Sequence, residues 1–214
     1  GPFAGYITNY PFNNQPRELS IQPGATFTPT NAEEAAQGLL ALASSRQPVQ
    51  INGNEQTRHN GMQVAPISLS THALRGITTY APDDLYITVG AGTPLAEIQT
   101  FLAKDRRQIA LASPWPEATI GGLVASNINA PLRMRYGSIR DLVLATTVAF
   151  TSGNVIRTGR PIVKNVAGYD LTKAFVGSHG TLGLIVDITL KLMALPRTKR
   201  TLLIPLDDLY DGLM

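Results

Sequence analysis

Four short glycine-bearing segments constrain the fold of this chain more than any other feature. They are Ile51-Asn52-Gly53-Asn54-Glu55-Gln56-Thr57-Arg58-His59-Asn60-Gly61, Ala118-Thr119-Ile120-Gly121-Gly122, Arg135-Tyr136-Gly137-Ser138-Ile139-Arg140-Asp141, and Gly177-Ser178-His179-Gly180-Thr181-Leu182-Gly183. Glycine permits positive φ and close approach of backbones, because no Cβ stands in the way. One such segment is ordinarily a plain turn. Several converging on a cleft line it with N–H donors, which suits a long anionic ligand. The first segment is ambiguous by itself: glycines at each end suggest a phosphate cradle, whereas Asn54, Glu55 and Gln56 in its middle suggest a polar turn.

A chain of 214 residues suffices for one large domain or two small lobes sharing a core. With 43% apolar and only 15% charged residues, it packs rather than stays disordered. The absence of cysteine removes disulfides, thiolate-held zinc, iron–sulfur clusters and any cysteinyl cofactor bond. The formal charge of +3 is spread thinly, without the aromatic interleaving of a nucleic-acid surface, so small anions are the better candidate ligands. No stretch approaches the roughly 20 apolar residues of a membrane span, and no charged start precedes an apolar signal core. The expected compartment is the cytoplasm.

Along the chain, prolines among Asn and Gln predict an irregular arm over residues 1–29. Thr30-Asn31-Ala32-Glu33 matches a capping box for the helix AEEAAQGLLALASS. Two short strands, 48–51 and 66–69, flank the first glycine segment. YITVGAG (86–92) reads as a strand, after which Thr93 serves as N-cap and Pro94 as first residue of the helix LAEIQTFLAKD. Residues 118–129 read as a small-residue turn running into a short helix. Residues 141–150 and 155–159 form a hairpin about Thr151-Ser152-Gly153-Asn154. A helix covers DLTKAFVG, and 181–195 is a long strand bent at Gly183. This order favours an α+β fold in two lobes, 30–92 and 93–196, over one doubly wound parallel sheet.

Several motifs carry less than they promise. Gly90-Ala91-Gly92 sits where a dinucleotide-binding turn would, but Leu95 replaces the third glycine. Asp105 lies 15 residues past Gly90, short of the roughly 20 expected of a ribose-binding acid, so a structural turn is the stronger reading. His59, His72 and His179 lack the spacing of a helical metal site, and no metal is expected. Ser178-His179 lacks the GxSxG elbow, and a histidine adjacent in sequence is poorly placed to act as that serine's base.

The order ATIGGLVASN, YGSIRDLV, a hairpin, then KNVAGYDLTKAFVGSHGTLGLI resembles the FAD-binding domain of the vanillyl-alcohol oxidase and p-cresol methylhydroxylase (PCMH-type) superfamily. Within it, the likeness is strongest to the FAD-binding subunits of bacterial glycolate oxidases, and it runs from about Pro29 to Pro196. The resemblance implies two α+β lobes gripping an extended FAD. By position, Asn52, Gly53, Asn54, Glu55, Gln56 and Thr57 would hold the pyrophosphate. Thr119, Gly121, Gly122 and Ala125 would lie along the cofactor's middle. Gly137 and Asp141 would shape the second-lobe wall, and the backbone of Leu184 and Ile185 would approach the flavin end. The flavin would accept a hydride from a 2-hydroxy acid such as glycolate or lactate and pass electrons to companion subunits, an iron–sulfur subunit among them. The resemblance leaves the catalytic residues unassigned; Tyr136, Lys164 and His179 are polar candidates whose plain structural roles weigh at least as much.

Two departures stand out. Relatives carry a run such as GGGT or GGGS in the pyrophosphate loop, where this chain keeps only Gly53 followed by Asn54, Glu55 and Gln56. An ionised Glu55 about 5 Å from a phosphate would oppose it by roughly 3 kcal/mol at an effective dielectric of 20. With about 1 kcal/mol for each non-glycine residue at positive φ, the loss is on the order of two to four decades in affinity, which Arg58 or Arg133 would partly restore. Gln56 stands near the place of the histidine that bonds covalently to flavin in some members, and His59 lies beyond it, so a non-covalent FAD is expected. The second departure is that relatives continue into a cap domain, whereas residues 197–214 read as its truncated start. Three readings stay open at this stage: a flavoprotein subunit, a flavin-poor or flavin-free scaffold subunit, and a site for another phosphate-bearing metabolite.

Overall fold

The computed structural model describes residues 7–9, 24–54, 67–160, 171–200 and 202. Strands β1 (Ile7–Asn9) and β2 (Thr26–Phe27) precede helix α1 (Ala32–Ser44), which is followed by β3 (Val49–Asn52), β4 (Ile67–Ser70), β5 (Ile77–Ala81) and β6 (Tyr86–Gly90). Helix α2 (Leu95–Ala103), strand β7 (Arg107–Gln108) and the short helices α3 (Ile120–Ser126), α4 (Arg133–Tyr136) and α5 (Ile139–Leu142) lead to the hairpin β8 (Val143–Ala149) and β9 (Val155–Gly159). After α6 (Thr172–Phe175) come β10 (Leu184–Lys191) and β11 (Met193–Ala194).

The mixture is α+β, as expected, on two main sheets. A parallel sheet runs β2-β4-β3, and an antiparallel sheet runs β1-β9-β8-β10-β6-β5, with β11 and β7 forming a separate pair. Strands β5 and β6, expected with the first lobe, pair in the antiparallel sheet, so the division between sheets falls between Ser70 and Ile77 rather than after Gly92. The cause is burial: Ile87 and Val89 sit fully buried with Ile98, Leu123 and Ile188 in one core, and Thr88 bonds Thr189 across the sheet at 2.8 Å.

Local signals shifted by a residue in three places. Asn31, not Thr30, caps α1: its Oδ1 accepts the Glu34 N–H at 2.9 Å, while Glu34 folds back to the Thr30 N–H and hydroxyl at 2.8 Å. Pro94 has an extended ψ of 138° and is therefore itself the cap of α2, leaving the Thr93 hydroxyl free to donate to the Gly90 carbonyl at 2.7 Å. The strand expected from residue 181 with a bend at Gly183 begins only after that glycine, at Leu184, and the Gly183 φ of +159° lets the chain pass within contact of Val148 and Ala149. The arm, too, is not wholly irregular. Its proline-free run carries β1, which pairs Ile7–Asn9 with Ile156–Thr158 and closes the sheet edge at β9.

A one-residue bulge sets the two faces of the antiparallel sheet. Ile185 pairs with Val148 and Asp187 with Thr147, so the extra residue Val186 switches the alternation of β10. Leu184 and Val186 then face α1, packing with Ala35, Ala36 and Leu39, while Ile185 and Ile188 face α2 and α3. The α1 core also takes in Leu69 of the parallel sheet, so α1 joins both sheets.

The bulge also turns Asp187 and Thr189 to the polar part of that face. Arg157 reaches Asp187 and Thr147 at 3.3 Å and Thr189 at 3.1 Å, and Thr147 donates to Asp187 at 3.0 Å. Burial pushes the Asp187 carboxyl above its ordinary range, with Arg157 and then Thr147 pulling the other way. The folded state therefore holds this proton more tightly than the unfolded chain. This carboxyl's contribution to stability falls as pH rises from the ordinary carboxylate value through its raised one. Arg157→Leu removes the compensating cation and is expected to lower stability by about 2 kcal/mol in urea unfolding at pH 7, with a smaller loss at pH 5. Arg157→Leu with Asp187→Leu is expected to lose less than the single variant.

Candidate functional site

The end of β6 and the start of α3 are joined by backbone alone. Gly121 N–H donates to the Ala91 carbonyl at 2.8 Å, Ile120 N–H to Thr93 at 2.9 Å, and Leu95 N–H to Ala118 at 3.0 Å. From the other side, Gly92 N–H donates to Leu74 at 2.7 Å and Ala91 N–H to Val186 at 2.8 Å. A Cβ at Gly90 would stand 2.5 Å from the Leu74 carbonyl oxygen, and one at Gly121 would stand 2.8 Å from that of Ala91. The Gly90-Ala91-Gly92 motif is thus the structural turn expected of it. Asp105, set aside as a ribose-binding acid, accepts the Tyr80 hydroxyl at 2.8 Å.

The second glycine-bearing segment begins α3, and the described parts of the other three meet α3 or the turn that follows it. At its N-terminal end Gly53 lies so close to Thr119 that a Cβ would be 2.5 Å from the threonine hydroxyl, and Asn54 donates to the Glu117 carbonyl at 2.8 Å. Asn52 fixes the approach: its side chain donates to Ser68 at 2.7 Å, and its carbonyl accepts the Thr71 N–H at 2.9 Å. At the C-terminal end of α3, Gly177 N–H donates to Val124 at 3.0 Å and His179 N–H to Ala125 at 2.8 Å, with His179 itself at φ +51°. A Cβ at Gly180 would meet Ile51 at 2.9 Å, which brings the fourth segment back to the first. The third segment is tied in by Asn129, whose Oδ1 accepts the Ile139 N–H at 2.8 Å.

Charge is distributed less simply than a helix N-terminus suggests. The Ile120, Gly121 and Gly122 N–H groups are all committed, the last to the Thr119 hydroxyl at 3.2 Å, so the start of α3 offers an anion none of its first three donors. The sequence places the expected pyrophosphate donors in the loop after Asn52. Glu55, Gln56 and Thr57 of that loop, together with Arg58, His59, Lys164 and residues 164–170 of KNVAGYDL, lie outside the described residues. Gly137, at φ +86°, packs on Asp141, whose carboxylate accepts the Ser138 N–H and hydroxyl at 2.8 Å. Those two bonds hold the Asp141 carboxyl below the usual range, aided by Lys173 and Arg140. The pairing of β10 with β6 ends at Asp187, so the backbone of Leu184 and Ile185 lies beyond it on that flank.

One polar atom in this assembly is left over. The Ser178 hydroxyl is shielded from solvent and has no hydrogen-bond partner among the described residues, on a residue only 8% exposed. Among the described residues no imidazole engages it. An unmet buried hydroxyl costs about 1–3 kcal/mol, so it fits a site completed by a bound polar group. Asn129 carried no motif that would have singled it out in sequence, and Ser178 drew notice only beside His179, not as a buried donor.

Because its missing side chain faces the Ala91 backbone, Gly121→Ala is expected to lower stability by about 1–3 kcal/mol. The midpoint of urea unfolding reads this out, and an unchanged midpoint would contradict the close approach.

The family described as FAD binding domain matches residues 23–159. The glycolate oxidase subunit GlcE of Escherichia coli (strain K12) is 37% identical over 161 residues, which cover 74% of this chain and 46% of that protein. The glycolate oxidase subunit GlcD of Bacillus subtilis (strain 168) is 32% identical over 198 residues, 91% of this chain and 42% of that protein. A mitochondrial D-lactate dehydrogenase (cytochrome) of Arabidopsis thaliana is 30% identical over 195 residues, 90% of this chain and 34% of that protein. The chain spans less than half the length of these relatives. Among solved structures, alkyldihydroxyacetonephosphate synthase shares the fold with a TM-score of 0.70 at 18% identity, over 81% of this chain and 32% of that one. The chain shares its fold with that synthase and belongs to the FAD binding domain family.

Proposed function

We propose that this chain is the FAD-holding part of a 2-hydroxy-acid oxidoreductase of the glycolate-oxidase kind, working beside companion subunits, one of them an iron–sulfur subunit, in the cytoplasm. The observation that carries the reading is the meeting of the described parts of the glycine-bearing segments at α3 and the turn after it. FAD, when bound, supplies a hydride acceptor for the alcohol carbon of the substrate and a route for its electrons to a partner.

In this reading the stretch Asn52, Gly53, Asn54, Glu55, Gln56 and Thr57 holds the pyrophosphate. Thr119 keeps Gly53 in place and caps α3, while Gly122 and Ala125, both half-buried, flank the cofactor's middle. Gly121 serves the frame rather than the ligand, since its N–H and its bare Cα face Ala91. Gly137 and Asp141 set the wall through their mutual contact, and the Leu184–Ile185 backbone bounds the flavin end. The Ser178 hydroxyl is the natural additional donor. With Gln56 near the covalent position, the cofactor is held without a bond to the protein.

A second reading, a scaffold subunit poor in flavin, is favoured by one specific observation: the first three N–H groups of α3 are committed within the protein. The visible spectrum of the purified chain separates the two. The first reading expects the oxidised-flavin band, with the yellow colour passing into the filtrate after denaturation. A colourless protein that gives no heat on titration with FAD would overturn it in favour of the scaffold.

A further inference from the structure

Leu132 and Met134, 38% and 89% exposed, bring two large apolar side chains to the surface at the short helix α4. Isolated exposed apolar residues need no explanation. These two are not isolated from charge: Arg133, Arg135 and Arg140 are all exposed around them, and no Asp or Glu occurs between Asn129 and Arg140. Asp141, next in the chain, turns its carboxylate onto Ser138.

The backbone beneath is fixed. Met134 and Arg135 donate their N–H groups to Pro131 and Leu132 at 3.1 Å, and Gly137 donates to Arg133 at 3.1 Å. The Arg135 guanidinium lies 5.6 Å over the Tyr136 ring, a contact that limits its freedom. A surface already ordered in the free chain loses little conformational freedom on binding. Methionine and arginine are also residue types enriched at protein–protein interfaces.

We infer that α4 and its flanks form a docking surface for a protein partner that presents carboxylates around an apolar recess able to take Met134. The cationic ring selects an acidic face by charge complementarity, and the methionine supplies the desolvated centre. Nucleic acid fits less well, because three arginines neutralise few phosphates. A membrane surface fits less well too, because a helix of four residues has no extended apolar face to bury.

The test places a photocrosslinker in the full-length protein, in the cells that make it, as Met134→p-benzoylphenylalanine, with Asp84→p-benzoylphenylalanine as control. The expected result is one discrete adduct at position 134, absent at position 84, whose crosslinked partner peptide carries net negative charge. Adding Arg133→Glu and Arg135→Glu is expected to reduce that adduct about tenfold or more while the melting temperature stays that of the parent. If the charge reversals unfold the protein, Arg133→Gln with Arg135→Gln is used, with the same direction expected. No adduct, an adduct to lipid or nucleic acid, an adduct within the same chain, or a protein adduct indifferent to the charge changes would each overturn the proposal.

Discussion

The fold depends on three stretches of backbone lying directly on one another without side chains between them. Gly90 and Gly92 press onto the carbonyls of Leu74 and Thr71, and Gly121 presses onto that of Ala91. Each approach is closed by a hydrogen bond from the glycine itself or its neighbour, so the missing Cβ atoms and the paired N–H groups are one feature. Through this contact the parallel sheet, the antiparallel sheet and α3 take fixed positions. Without it, Gly53 would not meet Thr119, nor would the Gly177–Gly183 segment reach Ile51.

Two further devices follow. The bulge at Val186 rotates β10 so that one face serves α1 and the other serves α2 and α3, which lets a single sheet be buried on both sides. The same rotation places Asp187 where burial raises its pKa, and Arg157 with the neighbouring threonines makes that position tolerable. Polar bonding is therefore concentrated where the sheet alternation had to be broken.

Much of this was legible in the sequence, for identifiable reasons. The hairpin 143–159 was readable because β-branched alternation and its turn are local, and α1 because its cap and apolar spacing are local. The α+β class and the glycine clustering followed from order along the chain. Which sheet β5 and β6 would join was not readable, since it depends on Thr88 meeting Thr189, 101 residues away. The cap shifts at Asn31 and Pro94 turned on single ψ angles that spacing does not encode. The committed donors at the start of α3 were likewise hidden, because their acceptors, Ala91 and Thr93, are backbone carbonyls that any sequence would supply.

The tightest positions of this frame serve the protein, and the proposed FAD site uses the loop after Asn52, the flanks of α3 and the start of β10. Hydrogen exchange with and without FAD tests this arrangement most directly. Binding is expected to add protection together in three peptides, 51–61, 118–126 and 177–185, while the already bonded amides of Ile120 and Gly121 change little. Protection confined to other segments, or none at saturating FAD, would contradict the placement of the cofactor around α3.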